Sequence, residues 1–185
     1  MSASVNGQVW LISGVPGAGK SSVARAMCTR FPKSVHIEVD DIRHMVKNGY
    51  ISPGASPSEE QALQLRLAHR GAAEMAQRYA QAGHTVVIDD VITDAELGHY
   101  LPYLDGVAVH KVLLLPSLDG TLRRNADRPI ETTNANAAAR ATLDAMIRRL
   151  HPRFTGGHVG WSKLDTTAMP IEATVDAILA TAPLA

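Results

Sequence analysis

Apolar residues along this chain keep two rhythms. Four short runs rich in aliphatic residues, Gln8–Ser13, Ser34–Val39, Thr85–Ile88 and Val107–Leu115, each end at Gly, Pro, Asp or Ser. Runs of this length and composition predict strands of a buried sheet. Between them the apolar positions recur at helical spacing. Val23, Ala24, Met27 and Cys28 share one face of a helix over 21–30, which makes Cys28 a core thiol. Leu65, Ala68, Ala72, Met75, Ala76 and Tyr79 form a stripe on a long helix that opens at Ser58 and ends near Gly83, with Arg66, His69 and Arg70 of the same helix expected at its solvated surface. Ser58 and Gln61 have the spacing of a capping box there. Further helices are expected over Ile42–Val46 with Asp41 as N-cap, through Leu97, Tyr100 and Leu101 up to Pro102, over 118–128, over 137–150 and over 171–180. Thr93 or Asp94 can cap the second of these, and a fifth strand fits within 159–165. Gly- and Pro-bearing loops are expected over 48–57 and 152–160. Strands alternating with helices make this an α/β chain.

One junction in that pattern carries chemistry. Directly after the first strand stands Gly14-Val15-Pro16-Gly17-Ala18-Gly19-Lys20-Ser21, which fits G-x-x-x-x-G-K-[ST] and lies between a strand and a helix, as that motif requires. Its glycines allow backbone angles closed to other residues, so successive N–H groups can turn inward as an anion nest. The helix that follows adds its unsatisfied N–H groups and the positive end of its dipole. Lys20 brings a full charge to the β- and γ-phosphates, and the Ser21 hydroxyl suits Mg²⁺. The nucleotide-binding set is thus Gly14, Val15, Pro16, Gly17, Ala18, Gly19, Lys20, Ser21 and Ser22, and ATP and Mg²⁺ are the expected cofactors.

Other charged residues cluster at strand ends, where ligands gather in parallel α/β sheets. Asp40-Asp41-Ile42-Arg43 follows the second strand, with Asp40 placed to point into the cleft and Arg43 in a first helical turn, where an anionic partner would account for a cation. Asp89 and Asp90 end the third strand in the manner of a Walker B segment, and either can serve the metal. Arg124 and Arg128 lie four apart on the helix over 118–128, like charges on one face that an anion such as ATP would reconcile. With the turn 129–134 and the following helix they predict a lid, approximately 123–140, that closes over the triphosphate.

Composition narrows the class. A length of 185 residues allows one substantial core, so the whole chain, 1–185, reads as a single domain. Hydrophobic residues make up 45% and aromatics 4%, which predicts an aliphatic interior. Eighteen Lys and Arg against eighteen Asp and Glu give zero formal charge, which argues against nucleic acid held by counterion release. A lone cysteine, no signal-like start and no apolar run near the ~18 residues of a membrane span point to a cytoplasmic protein with no membrane partner. The eight histidines show no metal-binding spacing, so no structural zinc is expected.

Taken in order, Gly14–Ser21, Asp40-Asp41-Ile42-Arg43, Val86–Asp90 and Arg124-Asn125-Ala126-Asp127-Arg128 resemble the small P-loop kinases related to chloramphenicol phosphotransferase, zeta toxins and the phage polynucleotide kinase. The resemblance covers nearly the whole chain. It implies a P-loop NTPase fold with a five-stranded parallel sheet, helices on both faces and a small arginine-bearing lid. It also implies that Asp40 accepts the proton of the substrate hydroxyl, that Arg43 binds the acceptor or the γ-phosphate, and that Arg124 and Arg128 are lid arginines. Asp89-Asp90-Val91 and Asp165-Thr166-Thr167 are similar to the chloramphenicol phosphotransferase pattern in particular. The expected activity is transfer of the γ-phosphoryl group of ATP to a hydroxyl of a small molecule, an antibiotic such as chloramphenicol among the candidates. A polynucleotide 5′-kinase, a zeta-toxin-like nucleotide-sugar kinase and a nucleotide-binding regulatory module without transfer activity stand as alternatives. The acceptor, the choice between ATP and GTP and the oligomeric state are open at this level.

Overall fold

The computed structural model describes residues 7–52, 58–127 and 137–181. Five strands, β1 (Gln8–Ser13), β2 (Ser34–Glu38), β3 (Thr85–Asp89), β4 (Ala108–Leu114) and β5 (Ser162–Leu164), form one sheet in the order β2-β3-β1-β4-β5. Every neighbouring pair is parallel. The helices are α1 (Lys20–Cys28), α2 (Val39–Arg43), α3 (Glu59–Gln81), α4 (Asp94–Leu97), α5 (Leu118–Ala126), α6 (Ala137–Thr155) and α7 (Ile171–Ala180), with a 3₁₀ turn at Leu101–Tyr103. This is the α/β P-loop NTPase fold.

Central strands explain why the sheet needs helices on both faces. Val9, Trp10, Leu11 and Ile12 on β1 and all five residues of β3 are buried, so no face of either strand meets water. α1 packs with α7 and against β1–β3, while α3 covers the same strands together with the 3₁₀ turn. The core is largely aliphatic and alanine-rich, as composition requires, but Trp10, Tyr100 and Phe154 are among its largest fully buried side chains. Cys28 is half-buried beside that core. Among the described residues no helix is long and apolar enough to cross a membrane.

Several elements differ from the pattern-based expectation, each for a local reason. α2 starts at Val39 rather than after Asp41, because Val39 is buried and draws the chain into the helix directly from β2; Asp40 and Asp41 then occupy its first turn. It also stops at Arg43, which leaves Met45 two-thirds exposed instead of packed. Ser58 caps α3 through the Gln61 N–H, but the Gln61 side chain donates to the Ser52 carbonyl, so only half of the box forms. The buried face of α3 is Ala68, His69, Ala72, Ala73, Ala76 and Ala80; Met75 and Tyr79, expected inside, are substantially exposed. Pro102 lies inside the 3₁₀ turn rather than ending a helix, and α6 runs on through Pro152 to Thr155 where a loop was expected. Burial of Phe154 and the hydrogen bond from His158 to the Arg153 carbonyl hold that last turn against the cost of the proline.

Candidate active site

The phosphate-binding loop follows β1, the strand about which the chain changes direction across the sheet. Ser13 fastens its root: its hydroxyl donates to the Ile92 carbonyl at 2.8 Å and accepts the Ile92 N–H at 2.9 Å. Gly14 adopts φ 150° and a Cβ there would stand 2.6 Å from the Leu114 oxygen, so the loop can leave the sheet only without a side chain at that point. Gly19 caps α1 in the left-handed region, and Lys20 and Ser21 open the helix. Lys20 Nζ donates to the Val15 carbonyl at 3.3 Å, folded back over its own loop.

Sheet register brings the acids to this loop. Glu38 pairs with Asp89 and Asp89 with Ile12, which sets two carboxylates level with the end of β1. Ser21 Oγ donates to Asp89 Oδ2 at 2.8 Å and lies 3.3 Å from Glu38 Oε1. His36, two residues before Glu38 and so on the same side of β2, contacts Asp89 Oδ1 at 2.5 Å. Ligand atoms of His36, Glu38 and Asp89 lie within 4.8 Å of one another. Converging hydroxyl and carboxylate oxygens beside a phosphate loop are the donor set a hard divalent cation takes, so these residues fit Mg²⁺. His36 pins the far oxygen of Asp89 and so fixes the orientation of the oxygen that faces Ser21. No motif spacing signalled this grouping, because His36 and Asp89 meet only through strand pairing.

Alternation along the chain separates the two adjacent acids. Asp90 turns to the α3 side, where Oδ2 accepts the Tyr100 hydroxyl at 2.8 Å and lies 2.9 Å from His69 Nε2. His69, expected on the solvated side of α3, is fully buried, and its Nδ1 meets His99 Nδ1 at 3.0 Å. Burial by itself would raise the Asp90 carboxyl, but the hydrogen bond and charge of His69 and the Tyr100 hydroxyl outweigh it and hold the group below the ordinary aspartate range. The Tyr100 phenol is pushed well above its usual value, first by burial and then by the Asp90 charge.

Two cavities flank the loop and share Gly17. One, about 440 Å³, is lined by Ala18, Gly19, Ser22, Arg124, Thr166 and Pro170 among others, between the start of α1 and the approach to α7. Arg124 spans it, donating to the Ala18 carbonyl at 3.1 Å and the Thr166 carbonyl at 2.5 Å. The sequence makes this arginine a lid residue over the triphosphate; its guanidinium lies in this cavity, tying the phosphate loop to the β5–α7 turn. Arg128 lies outside the described residues, as do 129–136 of the expected lid.

The other cavity, about 600 Å³, opens on the far side of the loop, and Lys20, Ser21, Asp40, Arg43, Asp89 and Asp90 all line it. Asp40, at the start of α2, accepts Arg43 Nη1 at 2.6 Å, with Arg43 largely covered and Asp40 mostly open to the cavity. Arg43 also reaches the Tyr50 hydroxyl at 3.4 Å, and Tyr50 stands against the His44 ring. Leu143, Met146, Arg149 and Leu150 of α6 close the opposite wall. Tyr50 and Arg149 carried no motif and enter the site only through the fold.

A family model described as an AAA domain matches residues 9–153. No curated protein sequence matches significantly. Among solved structures, the Mycobacterium tuberculosis APS kinase in complex with AMPPNP and APS superposes with a TM-score of 0.68 at 16% identity, covering 95% of this chain and 96% of that one. The Deinococcus radiodurans tunicamycin resistance protein gives 0.63 at 21%, covering 97% of each chain. A sugar kinase from Janibacter gives 0.62 at 17%, covering 94% of this chain and 93% of that one. At such identities the likeness is one of fold.

Proposed function

From the premise that this chain belongs to the AAA-domain family, whose model spans 9–153, we propose that it is an ATP- and Mg²⁺-dependent kinase that phosphorylates a hydroxyl of a small molecule. The observation that carries this reading is the pair of cavities meeting at Gly17, one on the Arg124 side and one holding Asp40, with the phosphate loop between them. A nucleotide binder without transfer chemistry has no use for a second chamber lined by Asp40 and Arg43. The kinases among its fold neighbours, for APS and for a sugar, accord with it.

Roles follow from position. The loop N–H groups of Gly14, Val15, Gly17, Ala18 and Gly19, with Ser22, cradle the phosphates, and Lys20 swings from the Val15 carbonyl to the β- and γ-oxygens. Ser21 and Asp89, with Glu38 beside them, would hold Mg²⁺, which when bound neutralises phosphate charge. Arg124 clamps the nucleotide side of the loop, and Arg128 is assigned to the phosphates with it. Asp40, oriented by Arg43, accepts the proton of the acceptor hydroxyl as its oxygen bonds to the γ-phosphorus and the bond to the departing ADP breaks.

Asp40→Asn tests the assignment. Turnover should fall by ~10²-fold or more while affinity for a fluorescent ATP analogue stays within about twofold, since the residue is assigned to the acceptor hydroxyl and not to the phosphate cradle. The measurement is ADP release against a panel of alcohols, antibiotics, nucleosides and sugars; full turnover by this variant would remove Asp40 from the role.

A further inference from the structure

Asp90 has no task in the reading above. It is buried, lines the acceptor cavity and lies beyond the reach of Ser21, which bonds Asp89 instead. Packing does not explain it either. His69 and Asp90 form a buried polar pair between α3 and β3, where neighbouring positions are Ala68, Ala72, Ala73 and Ile88. Apolar residues of similar volume generally serve such a place as well or better, because a buried pair loses more hydration than it regains.

The carboxylate is also held one-sidedly. Both side-chain contacts, from the Tyr100 hydroxyl and His69 Nε2, fall on Oδ2, and His99 backs His69 in turn. Such bracing, with the Val91 N–H as a further donor, fixes the orientation of the group on the wall of the cavity that Asp90 lines. A carboxylate only accepts hydrogen bonds, so its ligand must donate. Hydroxyl groups are the donors that the transfer reading already places in this cavity. A neutral hydroxyl meets the need. Asp40, mostly open to the same cavity, makes the same demand of the reacting hydroxyl.

We propose that Asp90, braced by His69 and Tyr100, anchors a second hydroxyl of the acceptor, so that the substrate is a polyol held at two points, Asp90 for binding and Asp40 for transfer. The proposal rests on the kinase reading for Asp40 but concerns binding, which can be measured without turnover. His69 and Tyr100 are positioning residues that act through Asp90.

Saturation-transfer NMR in the presence of Mg²⁺ and AMPPNP supplies the test, with glycerol, ribose, gluconate and myo-inositol as polyol probes and 1-propanol as the monohydroxy control. At least one polyol should bind the wild-type protein in preference to propanol, and Asp90→Asn should weaken it tenfold or more while affinity for a fluorescent ATP analogue stays within about twofold. No polyol bound to the wild type, or equal binding by Asp90→Asn, overturns the proposal. Should Asp90→Asn fail to fold, Tyr100→Phe decides, since it keeps the carboxylate and removes only its brace. Weaker polyol binding at unchanged nucleotide affinity supports the anchor, and unchanged polyol binding overturns it. ADP release is read in parallel. A polyol that binds through Asp90 without ADP release sinks the kinase reading and leaves the anchor standing. ADP release with a raised KM and a nearly unchanged kcat in Tyr100→Phe supports both.

Discussion

At Gly14 the chain passes so close to β4 that a single methyl group would meet the Leu114 carbonyl oxygen at 2.6 Å, in a backbone conformation that L-residues rarely adopt. Gly14→Ala is therefore expected to cost about 1–3 kcal/mol in strain and to push the loop off its path. Thermal melting should show the first effect, and a tenfold or larger loss of ATP affinity in fluorescence titration the second. The motif announces this residue outright, and with it Lys20 and Ser21. The two acids after β3 are legible only as a pair. Which of them meets Ser21 depends on strand register and side alternation, and both require knowing that β3 lies between β2 and β1. His69 was lost for a different reason. Its charge suggested solvent, although it stands beside Ala68 and one turn from Ala72 and Ala73 on the buried face of α3.

Among the elements, α3 shows what periodicity can and cannot give. Its existence and its Ser58 cap were readable, but its rotation was not, because alanines on adjoining faces leave the apolar stripe broad and weakly directed. Gly71 lies in the middle of this helix, where an added Cβ would meet nothing within 4 Å. Gly71→Ala should accordingly stabilise the protein by about 0.5–1 kcal/mol. For a chain of this size that corresponds to a rise of about 1–4 °C in Tm, checked by differential scanning calorimetry with ADP release as the control. The extension of α6 through Pro152 escaped the sequence because a proline usually ends a helix, whereas here the buried Phe154 of its last turn and His158 just beyond it compensate.

For the molecule as a whole, acid is the revealing variable. The His110 imidazole, stacked on Trp10 in the sheet, is pushed below its usual value by burial. His99 is lowered too, by burial first and then by His69, against a partial upward pull from Glu96, with Arg66 adding least. A histidine whose folded pKa lies below the unfolded 6.5 stabilises the fold fully above that pH and loses its contribution as pH falls toward the folded value. Tm should therefore decline from about pH 7 to pH 5, and His110→Phe, which keeps an aromatic ring against Trp10, should remove part of that slope.

Helices α5 and α6 form one packed unit, joined by the Asn125–Asp144 hydrogen bond, and that unit touches both chambers. Thr121 of α5 and Ile147 of α6 stand over Gly17, while Arg124 reaches one side of it and Met146 and Arg149 the other. A ligand that shifts this shared roof from one side changes the shape offered on the other. Linkage then fixes the bookkeeping: by whatever factor nucleotide sharpens the grip on acceptor, acceptor sharpens the grip on nucleotide.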